Sequence, residues 1–173
     1  VDAVPALLKF SVLKKLEVGF FTAGFVYYDG NEIEFGDPGF QLKYQIINND
    51  DLAASIVGKM GFSSSNSPSY SVYAVPTFQT VFAQFDLTLG TSYLKNTSEY
   101  ENSYFYALAM TPKLDLPIGI YGEIFGKTIN SINSLYVDFG VSYSVHPDFV
   151  LDTAITLGLN ENSADWVFQI GLT

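Results

Sequence analysis

Strict alternation of apolar and polar residues over long stretches is the feature that most constrains the fold of this chain. The clearest stretch is 134–145, in which every second residue is apolar. These apolar positions are Leu135, Val137, Phe139, Val141, Tyr143 and Val145. A period of two places successive side chains on opposite faces of a β-strand. The sequence therefore predicts strands and requires no helix.

Similar runs recur along the chain and predict eleven strands, most of them ten to twelve residues long. They span residues 3–13, 15–28, 38–48, 51–62, 70–79, 82–94, 103–112, 117–128, 134–145, 149–160 and 166–173. Strands of globular proteins average about five or six residues. Eleven residues at about 3.3 Å, tilted by about 40°, rise roughly 28 Å, which is close to the apolar band of an outer-membrane barrel. The alternation loses its phase near Phe20-Phe21, where we expect a β-bulge.

The predicted connections alternate between two kinds. Tight turns are expected at 13–15, 48–51, 113–117 and 145–148, and longer polar loops at 29–37, 63–69, 95–102, 129–133 and 160–164. Short turns at one end and longer loops at the other are typical of transmembrane barrels, with the loops outside and the turns in the periplasm. The loops would then carry an acidic outer rim of Asp29, Glu32, Glu34, Asp37, Glu99, Glu101 and Glu161.

Composition excludes several classes of function. Hydrophobic residues make up 48% of the 173 residues and charged residues 15%, against about 25% charged in soluble domains. Eight lysines, no arginine and 18 acidic residues give a net charge of −10, which argues against binding to nucleic acid. There is no cysteine and a single histidine, His146. We therefore expect no metal centre and no cofactor, and no run of about 18 apolar residues predicts a membrane helix.

Charged residues of the predicted strands all fall on one side. If the apolar face of each strand contacts lipid, charged side chains must point inward. The inward set is Lys9, Glu17, Lys43, Lys59, Asp86, Glu123, Lys127, Asp138 and Asp152. This predicts a transmembrane antiparallel up-and-down β-barrel whose lumen these residues line. A soluble barrel or sandwich remains the alternative, although it would expose many charged residues along its strands.

Two groups of lumen charges suggest specific roles. Glu123 and Asp138 should lie at similar height on neighbouring strands, where they would join Lys127 and nearby tyrosines in a lumen network, because buried charges must be paired. Alternatively, this pair of carboxylates could select an ion or solute, or act as acid and base in catalysis. Lys43 and Lys59 lie on adjacent strands across the barrel and could oppose the acidic pair across a narrow pore.

Aromatic residues near the strand ends suit the interfaces between lipid and water. They are Tyr44, Tyr93, Tyr104, Tyr143 and Trp166. The alternative is plain strand propensity, which predicts no clustering at two heights. His146 occupies a tight Val-His-Pro-Asp turn, and we expect it to face water without a catalytic role.

Residues 1–173 are expected to form a single barrel domain that is trimmed at both ends. Single-chain bacterial barrels usually have an even number of strands. Eleven strands therefore suggest about twelve in the whole barrel, or ten if residues 3–13 are not a full strand.

Three short segments carry a resemblance to a known family. They are the opening at residues 5–18, the Phe-Gly-Asp-Pro-Gly-Phe-Gln-Leu-Lys-Tyr segment at residues 35–44, and the ending with a Pro-Asp turn and Asp165-Trp166 before the last strand. These segments resemble an outer-membrane transporter family named for the meta-pathway of phenol degradation. The chain departs from the family at Lys15, where arginine is frequent, and at Thr173, where a terminal aromatic residue is usual. The resemblance implies transport of small hydrophobic or aromatic compounds and implies no catalytic site.

The sequence thus favours a channel in the bacterial outer membrane that lets small molecules pass passively. Its expected partners are outer-membrane lipid, a small solute and an envelope protein that docks on the acidic loops. The alternatives are a structural or partner-binding barrel with a filled lumen and, less favoured, a barrel enzyme that modifies lipids.

Overall fold

The fold consists of β-strands joined by turns. The computed structural model describes residues 2–3, 6–22, 25–28, 32–35, 38–62, 68–95, 100–146 and 149–172. The strands are β1 (Asp2–Ala3), β2 (Ala6–Leu13), β3 (Leu16–Thr22), β4 (Phe25–Tyr28), β5 (Glu32–Phe35), β6 (Pro38–Asn48), β7 (Leu52–Phe62), β8 (Pro68–Gln79), β9 (Ala83–Lys95), β10 (Tyr100–Pro112), β11 (Ile118–Ile129), β12 (Ile132–His146), β13 (Phe149–Gly158) and β14 (Trp166–Leu172). The described residues contain no helix that is long and apolar enough to cross a membrane.

Eleven strands form one antiparallel sheet in the order β2-β3-β6-β7-β8-β9-β10-β11-β12-β13-β14. Neighbours in this sheet are consecutive in the chain, apart from the step from β3 to β6, and β2 and β14 are its edge strands. The strands β1, β4 and β5 form a separate three-stranded sheet within the N-terminal region. The predicted all-β, antiparallel, up-and-down fold is confirmed, as is the number of strands in the main sheet.

The N-terminal predictions were wrong in detail. The predicted strand at 3–13 enters the main sheet only at Ala6, and the predicted strand at 15–28 is divided into β3 and β4. The predicted loop at 29–37 contains β5, which pairs with β4. Residues 15–28 form one run rich in apolar and aromatic residues, so the pattern does not reveal that the chain leaves one sheet for another.

No bulge interrupts the sheet at Phe20 or Phe21, contrary to the prediction. Both residues keep regular register with β2 and with β6. The alternation weakens because Phe21 is an aromatic residue on the inner face, where its ring covers the backbone of Gly39. The register shifts lie elsewhere, at Ser11/Leu13, Gln45/Ile47 and Ser144/His146. All three are close to the short turns, and β-bulges are frequent at barrel rims.

The predicted loop at 129–133 is a two-residue turn. Asn130 and Ser131 join β11 to β12 with φ angles of 48° and 68°. Two consecutive residues with positive φ are characteristic of a type I′ hairpin turn, whose twist matches that of the flanking strands. The extension of both strands to Ile129 and Ile132 leaves no room for a longer loop.

Burial is inverted with respect to a water-soluble protein. Large apolar side chains are exposed along the strands, and none of the described large side chains is fully buried. The buried polar residues are Gln41, Ser55, Ser103, Asp138 and Thr156. An apolar outer face of this kind fits contact with lipid, whereas a soluble barrel would place these residues in a core.

Candidate functional site

The inner face of the main sheet carries two open cavities. The first, which we call the lysine cavity, measures about 330 Å³ and is lined by residues of β2 to β10. The second, the aromatic cavity, measures about 600 Å³ and is lined by residues of β10 to β14 and their loops. Phe105 lines both cavities. Volumes of this order match those of small-molecule sites.

The lysine cavity contains three of the predicted lumen lysines and one acid. Lys9, Glu17, Lys43 and Lys59 all line it. Glu17 and Lys43 are direct cross-strand partners. Lys59 has its Nζ atom 5.4 Å from the centre of the Tyr73 ring and 6.0 Å from that of Phe21. Both distances allow cation–π attraction, so the cavity combines positive charge with aromatic surface.

Four aromatic rings form a ladder across the inner face, from β8 to β12. The Tyr73 and Phe105 rings meet edge to face at 6.1 Å, and Phe105 and Phe125 lie 6.2 Å apart. Phe125 stacks on Tyr136 at 5.0 Å and 17°. Gly90 lies between Tyr73 and Phe105 in the register. The Tyr73 ring occupies the space that a Cβ at Gly90 would need, which lets the ladder cross β9.

The ladder was missed at the sequence level, although the sequence contains its signal. Phe125 lies midway between Glu123 and Lys127, so all three share one face of β11. Tyr136 shares its face of β12 with Asp138 in the same way. Aromatic residues were instead assigned mainly to the lipid face, where most of them do lie.

An acidic row crosses the inner face towards the short-turn side of the ladder. Register places Asp86, Ala109, Glu123, Asp138 and Thr156 side by side on β9 to β13. Glu123 and Asp138 are thus direct partners, as their expected similar height suggested. Asp86 accepts hydrogen bonds from Thr77 Oγ1 at 2.5 Å and from Gln84 Nε2 at 2.7 Å.

Solved structures that are similar to this chain include two porins and an outer membrane protein. The chain is similar to the NanC porin, with a TM-score of 0.76 and 10% identity over 98% of this chain and 90% of that one. It is also similar to a loop-deletion mutant of OmpT, an outer membrane protein of Vibrio cholerae (TM-score 0.58, 12% identity, 97% of this chain and 61% of that one). An anion-selective porin from Comamonas acidovorans matches at a TM-score of 0.55 with 10% identity, over 97% of this chain and 54% of that one.

The chain has the fold of a porin barrel. No protein-family model and no curated protein matches the sequence. The chain covers 90% of the NanC porin but only 61% and 54% of the other two proteins.

The two remaining predicted lumen residues lie apart from the acidic row. Lys127 lies on β11 four residues after Glu123, and Ser134 is its cross-strand partner. It lines the aromatic cavity. It is therefore separated from Glu123 and Asp138 by the rings of the ladder. Asp152 lies on β13 opposite Gly171, where its carboxylate covers the glycine backbone.

The predicted interface aromatics lie on the outer face of the barrel, in two groups. Tyr44 and Tyr143 are close to the short turns and are 52% and 49% exposed. Tyr93, Tyr104 and Trp166 are close to the long loops, and they are exposed as well. Tyr70, which sequence analysis missed, is exposed and pairs directly with Tyr93. His146 ends β12 beside a short turn.

The loop after β13 is bound tightly to the rim of the barrel. Ser163 Oγ donates a hydrogen bond of 2.8 Å to the Leu135 carbonyl and accepts one of 2.9 Å from the Leu135 N–H. Asn160 Nδ2 donates to the Asn133 carbonyl at 2.9 Å. Ala164 of this loop lines the aromatic cavity, so the loop forms part of its wall.

Proposed function

We propose that this chain forms a channel in the bacterial outer membrane through which small molecules pass passively. The observation that carries this proposal is the inverted burial, with apolar side chains outside and charged cavities inside. The porin fold supports it. In this channel, the nine charged residues predicted from the sequence line the path of the solute, and no residue has a catalytic role.

The outer surface supports the proposed location. The exposed tyrosines and Trp166 form two belts on a face that is otherwise rich in leucine, isoleucine, valine and phenylalanine. Aromatic belts at both interfaces with an apolar band between them are characteristic of barrels in the outer membrane. The five predicted aromatic residues anchor the barrel at the level of the lipid headgroups.

The solutes that best fit the lumen are small molecules with an apolar or aromatic part. The ring ladder presents aromatic surface to both cavities through Phe105. Planar rings interact favourably with such surfaces by offset stacking and edge-to-face contact. The sequence segments that resemble the phenol meta-pathway transporters favour the same class of solute, and membership of that family is part of this proposal.

Liposome swelling tests the channel. The barrel refolded into liposomes is expected to admit phenylalanine faster than cyclohexylalanine, which has the same charge and a similar shape but no aromatic ring. Replacing Phe105 and Phe125 by leucine is expected to remove this preference, whereas Phe168→Leu on the outer face serves as a matched control. Absence of permeability to any small solute would contradict the channel.

A barrel with a filled interior is the second candidate. It is favoured by the inner aromatic rings, since the Phe21 and Tyr73 rings occupy the space above Gly39 and Gly90 and fill part of the lumen. In that case acidic residues at the long-loop end of the barrel dock another envelope protein, such as Glu101 at the start of β10 and Glu161 in the loop after β13. A stoichiometric partner that is lost on replacing these two residues by glutamine, together with no solute flux, would favour this function.

A further inference from the structure

Two of the three lysines in the lysine cavity face no carboxylate across the strands. Lys43 has Glu17 directly opposite it. Lys9 and Lys59 have uncharged cross-strand partners, which are Gly19, Gln41 and Ser71. Lys59 is half-buried, and a charge that is withdrawn from water is costly unless an opposite charge compensates it. The lysine cavity therefore has an excess of positive charge, in a chain whose net charge is −10, and it suits an anion.

Aromatic and aliphatic side chains surround this positive charge. Lys59 Nζ lies 5.4 Å from the centre of the Tyr73 ring, and the Tyr73 ring meets that of Phe105 edge to face. Leu7, Val57 and Val75 line the same cavity. A small inorganic anion such as phosphate gains nothing from apolar surface. An anion that carries an aromatic ring buries the ring against these side chains while its charge stays beside the lysines.

We propose that the lysine cavity binds small aromatic carboxylates. Their carboxylate accepts charge-assisted hydrogen bonds from Lys9 and Lys59. Their ring packs against Tyr73 and Phe105 of the ring ladder. The cavity volume of about 330 Å³ is large enough for a single-ring acid. This site deepens the proposed channel and rests on it, because aromatic carboxylates are then the solutes that this part of the lumen receives.

Fluorine NMR tests the site on the barrel refolded in a non-ionic detergent. The probe is para-fluorobenzoate, and its partition into empty micelles is subtracted. We expect saturable binding that unlabelled benzoate reverses, whereas phosphate at equal ionic strength does not. The uncharged para-fluorobenzamide should bind about tenfold more weakly. Cyclohexanecarboxylate, which keeps the charge but has no aromatic ring, should displace the probe about threefold less effectively.

Lys59→Gln should weaken the binding of para-fluorobenzoate about tenfold, whereas Lys14→Gln should leave it unchanged. Lys14→Gln is the matched control because it makes the same chemical change in an exposed turn. Equal affinity of Lys59→Gln and the unaltered barrel would overturn the site. A larger loss in Lys127→Gln would also overturn it, because the anion would then lie in the aromatic cavity. If Lys59→Gln does not refold, Lys9→Gln decides by the same comparison, since Lys9 is exposed on an edge strand.

The choice of ligands keeps the site testable on the unaltered barrel as well. Equal binding of para-fluorobenzoate and para-fluorobenzamide would show that the lysines do not hold the carboxylate. Displacement by phosphate as effective as that by benzoate would show that the ring is not recognised, and either result would overturn the site. Binding in detergent requires no solute flux. Flux without saturable binding would therefore overturn this site and leave the channel, whereas binding without flux would support the site and contradict the channel.

Discussion

At the scale of single residues, the inner face of the barrel depends on where side chains are absent. Gly90 has no Cβ, and the Tyr73 ring lies in the space that this leaves. The ring thereby reaches Phe105 on the far side of β9 and continues the ladder. The contact between the Phe105 and Tyr73 rings therefore depends on the glycine at position 90 between them. Gly58 is different, because a Cβ at that position meets nothing within 4 Å.

These two glycines predict opposite responses to the same change. Gly90→Ala is expected to destabilise the barrel by about 1–3 kcal/mol, because the added methyl group displaces the Tyr73 ring and also lies 2.8 Å from the Val72 carbonyl. Gly58→Ala should be neutral or stabilise the fold by a few tenths of a kcal/mol, since alanine restricts the unfolded chain more than glycine does. Urea unfolding of the refolded variants, followed by tryptophan fluorescence, measures both. Equal stability of the two variants would refute the packing role of Gly90.

At the scale of elements, the strands follow from the sequence but their exact partners do not. Period-two alternation predicted eleven strands and their inner faces because each face meets a different environment. The division of 15–28 into β3 and β4 escaped it, since a run rich in apolar and aromatic residues fits a strand in either sheet. The ring ladder and the acidic row depend on register between strands, which is a tertiary property. Glu123 and Asp138 were an exception, because a short connection fixes their register.

The turn between β11 and β12 gives the second prediction. Ser131 has a φ of 68°, a conformation that costs a residue with a Cβ roughly 1–2 kcal/mol. Ser131→Gly creates the Asn-Gly pair that type I′ turns prefer and should raise the free energy of unfolding by about 0.5–1 kcal/mol. Ser131→Val should lower it, because β-branched residues resist positive φ. A destabilised glycine variant would show that the turn has another conformation.

A third prediction concerns the loop after β13. Ser163→Ala removes the hydroxyl that bonds both backbone groups of Leu135. Because two hydrogen bonds are lost, we expect a local loss of about 1–2 kcal/mol. Limited proteolysis within 160–165 should therefore become faster while global unfolding changes little. Ser144→Ala, on an exposed residue at the opposite rim, is the control. Unchanged proteolysis in Ser163→Ala would mean that these bonds do not hold the loop.

At the scale of the whole molecule, the net charge differs between two sides of the inner face: lysines outnumber Glu17 in the lysine cavity, and carboxylates outnumber Lys127 around the acidic row. Lys43 lies on β6 and Lys59 on β7, and Glu123 lies on β11, four to five strands away in a sheet of eleven. When such a sheet curves into a barrel, this separation places the two groups on opposite walls. The charge of the chain is therefore polarised across the lumen in a way that the net charge of −10 does not reveal.

This polarity predicts how the proposed channel discriminates between ions. Replacing both Lys43 and Lys59 by glutamine removes positive charge from one wall while the acidic row stays, so the reversal potential in a salt gradient should shift towards cation selectivity. Glu123→Gln should shift it the other way. Both shifts should shrink as salt rises from 0.1 M to 1 M, because the screening length falls from about 10 Å to about 3 Å. Lys14→Gln is the control, because it removes a lysine charge from an exposed turn outside the lumen. If Lys14→Gln shifted the reversal potential as much as the double variant does, the selectivity would lie outside the lysine cavity.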